Sequence, residues 1–257
     1  MTQNDKALAF AALHKKGDPL VLYNIWDAGS ARAIARAGAP ALATGSWSVA
    51  AAQGYPDGEA IPLDLLETIA ARIAATVDLP LSVDFEGSYA VEPEGVQSNV
   101  ARIIAVGAIG MNFEDQIVGG DTLHAAADQA GRIAAARAAG DTAGVAVFIN
   151  ARTDLFLKER DRSKHAGLVD AAIERATRYA EAGASGFFVP GLVDPALIGR
   201  ICDTVALPVN VMMMDGAPSI AALAELGVAR VSFGPGPYRQ AMKDLVGRYE
   251  AALEATS

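Results

Sequence analysis

Cysteine, histidine and lysine are all scarce in this chain: one Cys202, three histidines (His14, His124, His165) and six lysines (Lys6, Lys15, Lys16, Lys158, Lys164, Lys243). One thiol cannot close an internal disulfide, and no histidine pairs with Cys202 or a second histidine at metal-ligand spacing. A disulfide scaffold and zinc hydrolysis are both disfavoured. So little cysteine fits a reducing, cytoplasmic compartment. No uninterrupted apolar run reaches the roughly 18 residues of a membrane span, and the first ten residues contain no apolar stretch of the kind a secretory signal needs. Basic residues are in deficit, 21 against 30 acidic ones, for a net charge of −9. That balance argues against nucleic acid or an anionic membrane as partner and favours a small molecule. Apolar residues make up 52% of the 257 and charged residues 20%, with a mean hydropathy of +0.24. Such a chain buries a core and is not disordered.

Short apolar runs recur, each followed by a longer Ala-, Arg- and Glu-rich stretch of helical period, as in repeated βα units. Strands are predicted at Leu20–Ile25, Ala41–Thr44, Leu81–Asp84, Gly110–Phe113, Val145–Asn150, Gly186–Val189, Val209–Met212 and Arg230–Phe233. The matching helices are Gly29–Ala37, Leu63–Val77, Gly95–Val106, Leu123–Ala139, Leu168–Ala182, Pro195–Thr204, Ser219–Leu226 and Tyr238–Ala252, with one more, Asn4–Lys15, ahead of the first strand. Gly38, Gly107, Gly140, Gly183 and Gly227 stand where helices should stop. Eight units of about 32 residues predict a (β/α)8 TIM barrel with an N-terminal helix, as a single domain over 1–257; a doubly wound open sheet is the alternative.

In a barrel, residues at the C-terminal strand ends face the active site. Those places hold Tyr23, Asn24 and Asp27; Thr44, Gly45, Ser46 and Trp47; Asp84 and Glu86; Asn112, Glu114 and Asp115; Asn150, Arg152 and Asp154; Pro190; Asn210; and Ser232. Asp57 lies in the long loop Ser46–Pro62 after the second strand. Carboxylates converging on one end repel unless neutralised, and oxygen-only donors favour Mg²⁺ or Mn²⁺. Equally, such acids cap helices or pair with arginines. Arg152, the one cation facing this acid cluster, suits bidentate binding of a substrate carboxylate, or else a structural salt bridge to Asp154 or Glu114. Asn210 could donate to an oxyanion or satisfy backbone groups, and the Gly45-Ser46 turn could bind a carboxylate or be only a loop. No lysine stands at a strand end, which disfavours a Schiff base. Cys202 falls in a helix and reads as packing.

Thr44-Gly45-Ser46, Gly54-Tyr55-Pro56-Asp57-Gly58, Val83-Asp84-Phe85-Glu86, Asn112-Phe113-Glu114-Asp115-Gln116 and Asn150-Ala151-Arg152-Thr153-Asp154 together resemble the isocitrate lyase/phosphoenolpyruvate mutase superfamily over nearly the whole chain. The resemblance implies a barrel, Mg²⁺ (or Mn²⁺) and a small 2-oxo or 2-hydroxy acid handled through an enolate-like intermediate. It implies Asp84 as direct metal ligand, with Asp57, Glu86 and Glu114 acting largely through water. Ser46 and Trp47 would present backbone donors to the substrate carboxylate, Arg152 would bind substrate oxygen, and Asn210 would line the far side. Tyr23, Gly45 and Asn112 complete the substrate-binding candidates, and Glu114 is also a catalytic candidate. A homo-oligomer, dimer or tetramer, is implied as well.

Two departures stand out. Glu86 replaces the usual aspartate, lengthening the arm by one methylene. The Lys-Lys-Cys-Gly-His gating loop of the lyases, whose cysteine is their expected proton donor, is here Gln116-Ile117-Val118-Gly119-Gly120-Asp121-Thr122-Leu123-His124. Solvent or His124 must then supply the proton. C–C bond cleavage or decarboxylation is the favoured activity. C–P chemistry of the phosphoenolpyruvate mutase/phosphonopyruvate hydrolase type is an alternative, disfavoured because the loop has no lysine; a non-catalytic Mg²⁺-dependent 2-oxo acid binder is another.

Overall fold

A computed structural model describes residues 1–255. Its strands are β1 (Leu20–Leu22), β2 (Leu42–Ala43), β3 (Leu81–Asp84), β4 (Gly110–Glu114), β5 (Phe148–Arg152), β6 (Gly186–Phe188), β7 (Val209–Met212) and β8 (Arg230–Ser232). The helices are α1 (Gln3–Ala12), α2 (Ala28–Arg36), α3 (Ser46–Ala52), α4 (Leu63–Thr76), α5 (Pro93–Ala105), α6 (Ala126–Ala143), α7 (Leu155–Lys158), α8 (Val169–Glu181), α9 (Pro195–Thr204), α10 (Ile220–Glu225) and α11 (Gly236–Glu254). All strand pairs are parallel, in the order β1-β8-β7-β6-β5-β4-β3-β2. Between β1 and β2 a single bridge completes the ring: Ile25 N–H donates to Ala43 O at 2.9 Å, and Gly45 N–H to Ile25 O at 3.1 Å. The predicted (β/α)8 barrel with its N-terminal helix is the observed fold, and the open sheet is not.

Strand residues alternate between two buried environments, as parallel strands covered by helices require. Val83, Met111, Phe113, Ile149, Phe187, Val211 and Val231 are fully buried on one side of the strands. On the other side Asp84, Asn112, Asn150 and Arg230 form one bonded network inside the barrel, Glu114 pairs with Arg152, and Asn210 pairs with Ser232. The interior is therefore polar at its centre. Its lower end is closed by α1 and the turn after it, where the His14 ring stacks on Phe148 at 4.0 Å and Phe10 meets Phe148 edge-on at 5.4 Å. Burial, reinforced by Arg230, pushes His14 down to about 3, so it is neutral.

Three local expectations need correction. The stretch after β2 is not all loop, because α3 occupies Ser46–Ala52. The fifth strand sits later than predicted, at Phe148–Arg152. Gly140 does not stop its helix: α6 runs on to Ala143 and ends at Gly144, with φ +67°. Gly140 is a glycine of close approach instead, since a Cβ there would lie 2.7 Å from Val147 Cγ1. Cys202 is buried in α9 as predicted, and burial pushes its thiol up to about 11, away from reactivity.

Candidate active site

The upper strand ends surround a cavity of about 250 Å³. Gly45, Ser46, Asp57, Asp84, Asn112 and Arg152 supply much of its polar lining, while Leu157, Phe188, Pro190, Met212 and Pro235 make a broad apolar wall. Trp47 and Arg239 also line it, the guanidinium stacked 4.5 Å above the indole. Asp84, at the end of β3, is gripped on both oxygens. Ser46 donates to Oδ2 through its N–H and its Oγ, each at 2.8 Å, and Asn112 Nδ2 donates to Oδ1 at 3.2 Å. Asn112 is itself fixed, because its Oδ1 accepts from Asn150 Nδ2 at 2.8 Å and from Arg230 Nη2 at 3.1 Å. With both acceptor positions filled, its amide nitrogen must face Asp84.

Arg152, from the end of β5, makes both of the contacts its structural alternative foresaw and still lines the cavity. Nε and Nη2 donate to the two oxygens of Asp154 at 2.6 and 2.9 Å, and Nη1 lies 2.9 Å from Glu114 Oε2. Burial works to lower its basicity, but Glu114 and Asp154 outweigh it, and Arg152 stays charged. The carboxylates around it do not share this balance. Burial, then Asp84 and Asp57, pushes Glu86 up to about 8. Burial also holds Glu114 well above the ordinary range, with Arg152 opposing, and raises Asp57 at the exposed rim with help from Asp84. The phosphoenolpyruvate phosphomutase family model matches residues 10–253.

The chain belongs to the phosphoenolpyruvate phosphomutase family. A 2-methylisocitrate lyase from Escherichia coli K12 is 32% identical over 244 residues, covering 92% of this chain and 80% of that one. A crystal structure from Burkholderia cenocepacia J2315, carrying a provisional phosphonomutase designation, superposes with a TM-score of 0.94 at 50% identity, over 97% of this chain and 99% of its own. A phosphonopyruvate hydrolase solved with oxalate and Mg²⁺ shares the fold at 21% identity, with a TM-score of 0.83 and coverage of 98% and 88%.

Among the described residues of this family member, no three His, Cys, Asp or Glu side chains gather closely enough to ligate a metal directly. The donor set nevertheless fits a hard, largely hydrated cation. Asp84 and Asp57 reach the cavity, Glu86 and Glu114 are buried nearby, and their mutual repulsion is relieved by positive charge. Other strand-end acids do take structural roles. Asp115 is buried against Arg175, the Tyr179 hydroxyl and the Asp154 N–H, and Asp27 caps α2.

Several candidates lie off the cavity. Asn210 is buried and paired with Ser232 Oγ at 3.1 Å; of that pair, Ser232 is the one lining the cavity. Tyr23 is 42% exposed and packs on Phe233, its ring 5.0 Å away. His124 lines a separate cavity of about 370 Å³ with Glu59, Tyr89 and Arg132, and burial, then Arg132, lowers its basicity. The Ser46 and Gly45 N–H groups already have protein acceptors, Asp84 and Ile25 O.

Arg152 is not the one cation near the acids, for Arg239 shares its cavity and Arg230 lies buried below, pushed down to about 9 by burial against the pull of Asp84. Asn24, a strand-end residue that carried no assigned role, also lines the cavity. Its Oδ1 accepts from Phe233 and Gly234 N–H at 2.8 and 2.9 Å while its Nδ2 donates to Thr44 O, tying three strand ends together. A period of two from Leu22 points to Asn24 rather than Tyr23 as the inward residue.

Proposed function

We propose that this chain is a Mg²⁺-dependent (or Mn²⁺-dependent) enzyme that cleaves a C–C bond in, or decarboxylates, a small 2-oxo or 2-hydroxy dicarboxylic acid through an enolate-like intermediate. The observation that carries this reading is the pair of guanidiniums, Arg152 and Arg239, lining one cavity of about 250 Å³. Two cations in so small a space, Arg152 held by Asp154 and Glu114 and Arg239 resting on Trp47 at the exposed rim, suit two acidic groups on one short substrate. The E. coli relative is a lyase, and the hydrolase of the same fold was solved with Mg²⁺ and oxalate.

In this reading Asp84 holds the metal, with Asp57, Glu86 and Glu114 acting through water. When bound, the cation supplies Lewis-acid stabilisation of the oxyanion that develops as the bond breaks. Arg152 has two N–H groups beyond the three that Asp154 and Glu114 occupy, and these bind substrate oxygen. Because Asp154 and Glu114 already hold the guanidinium in place, stabilising that oxygen needs no reorganisation. Trp47 holds Arg239 over the cavity for the second carboxylate. Asn112 keeps Asp84 oriented, while Asn210 supports Ser232 at the cavity wall.

The product enolate is protonated by solvent, since His124 lines the other cavity. The apolar wall, and the lack of any lysine among the cavity-lining residues, favour an alkyl-bearing diacid over a phosphonate dianion. The same reading has the chain acting as one barrel domain, in a homo-oligomer, in a reducing cytoplasm. Turnover of a panel of malates, 2-oxo acids and phosphonopyruvate should be followed by pyruvate, glyoxylate, carbon dioxide and phosphate release, with Mg²⁺ and with EDTA. Metal-dependent release of an oxo acid or carbon dioxide supports the proposal. Phosphate release transfers it to C–P chemistry, and Mg²⁺-dependent oxalate binding without any turnover makes the protein a binder.

A further inference from the structure

Four non-glycine residues with left-handed backbone occur among the described residues, Glu59 (φ +56°), Glu86 (φ +49°), Ser88 (φ +67°) and Tyr89 (φ +56°), and they meet at one place. Backbone of this kind is unfavourable for any residue with a Cβ and persists only where the surroundings over-determine it. Here three of the left-handed residues fall within Glu86–Tyr89, the turn that leaves β3 two residues after Asp84.

Three side chains from elsewhere in the sequence hold that turn. Glu59 Oε1 accepts from Tyr89 N–H at 2.6 Å, while the Glu59 N–H donates to Glu86 Oε2 at 2.8 Å, so Glu59 grips both ends of the turn, Tyr89 by its side chain and Glu86 by its backbone. Arg132 Nη2 donates to Gly87 O at 2.6 Å and to Ala90 O at 3.0 Å. Asn99 Nδ2 donates to Ser88 O at 2.9 Å and Tyr89 O at 3.2 Å. Space is tight as well, since a Cβ on Gly87 would fall 3.1 Å from both Glu59 Oε1 and Val118 Cγ2. Of the three, Glu59 alone receives a backbone N–H of the turn and also reaches the Glu86 carboxylate.

We propose that Glu59 is a positioning residue for Glu86: its carboxylate holds the left-handed turn, and the turn fixes Glu86 among the carboxylates that hold the metal, an inference that rests on the Mg²⁺ reading above. Without the Glu59 carboxylate, the Tyr89 N–H loses its acceptor, the turn relaxes toward ordinary backbone, and the Glu86 side chain is carried away from Asp84. Groups that orient a metal's donors typically govern affinity by about 10- to 100-fold.

The informative variant is Glu59→Gly, because glycine accepts the left-handed backbone at 59, keeps the N–H that donates to Glu86 and removes the side chain that holds Tyr89. Titration calorimetry of the full chain with Mg²⁺ alone should show binding weakened by about 10-fold or more. Hydrogen exchange of amides 86–90 should quicken, with the melting temperature near that of wild type. Glu59→Gln, which keeps an acceptor for Tyr89, should recover most of the affinity. Unchanged Mg²⁺ affinity in a folded Glu59→Gly variant overturns the assignment. If wild type itself binds no Mg²⁺, the metal reading falls and exchange decides alone: faster exchange at 86–90 upholds Glu59 as the residue holding the turn, and unchanged exchange overturns it.

Discussion

Glu86 couples the site to pH in a way that can be measured without knowing the substrate. Its carboxyl titrates near 4.5 when unfolded and near 8 in place, because burial and the charges of Asp84 and Asp57 disfavour ionisation. Between those values the folded chain binds more protons than the unfolded one, so the metal-free protein loses stability as pH rises from about 4.5 to about 8. Fully ionised, the group costs several kcal/mol. Urea unfolding in EDTA should show a lower midpoint at pH 8 than at pH 5, and Glu86→Gln should flatten that slope. An equal slope in the variant would show that the carboxyl titrates normally. Arg152→Lys tests the other side of the balance. An ammonium is a point donor on a flexible stem and cannot bridge Asp154, Glu114 and a ligand at once, so oxalate binding in Mg²⁺ should weaken by about 1–3 kcal/mol despite conserved charge. Equal affinity by calorimetry would remove Arg152 from the substrate site. At this scale the strand-end motifs marked Asp84, Ser46, Asn112 and Arg152, which the fold brings to one cavity. Arg230 and Arg239 stayed hidden, because sequence cannot say which arginine points into a barrel and which into water.

Among the elements, the segment after β4 departs most from the resemblance. It folds as a compact turn: Ile117 N–H donates to Thr122 O at 3.0 Å and Gly120 N–H to Ile117 O at 2.9 Å. From α7, Lys158 Nζ donates to Gly120 O at 2.8 Å, which brings a cation to a loop that has none of its own. That contact is a latch between the β4 and β5 loops, on the surface and therefore weak. Lys158→Met should leave the unfolding free energy within about 0.5 kcal/mol of wild type, yet change kcat if opening of this loop limits turnover. An unchanged kcat, with KM also unchanged, would show that the loop does not gate. Gly119, with φ +75°, allows a harsher test, for Gly119→Pro forbids that backbone and should depress turnover more strongly. Eight strands and most helices were legible because period two and period 3.6 differ plainly over such lengths. α3 was not, since its seven residues follow directly on a strand-end motif and are too short for a periodic signature. Gly140 misled because a glycine chosen for close packing looks, in sequence, like a glycine chosen for a left-handed cap.

On the scale of the whole molecule, the barrel accounts for its own helices with one exception. α11 runs nineteen residues from Gly236 to Glu254, yet Pro237 is its one buried residue and every described residue from 243 onward is exposed. Met242, Leu245, Val246 and Tyr249 recur at i, i+3, i+4 and i+7, which places them on one face. Leu245 is 61% exposed, Val246 54% and Tyr249 64%. A helix of this length is marginal in water without packing, and an apolar stripe on it is costly to leave wet. The barrel does not cover the stripe, and a second copy of this chain, as in the homo-oligomer proposed above, is the occupant we predict for it. Burying what remains exposed of three such side chains on each copy favours association, at about 25 cal/mol per Å² of apolar surface, against the cost of immobilising two chains. Light scattering after size exclusion should therefore give a mass that is a multiple of 26.5 kDa. Leu245→Glu combined with Tyr249→Glu should reduce it to that of one chain, with the barrel's circular dichroism retained. A monomeric wild type, or an oligomer indifferent to both substitutions, would show that α11 does not carry the contact.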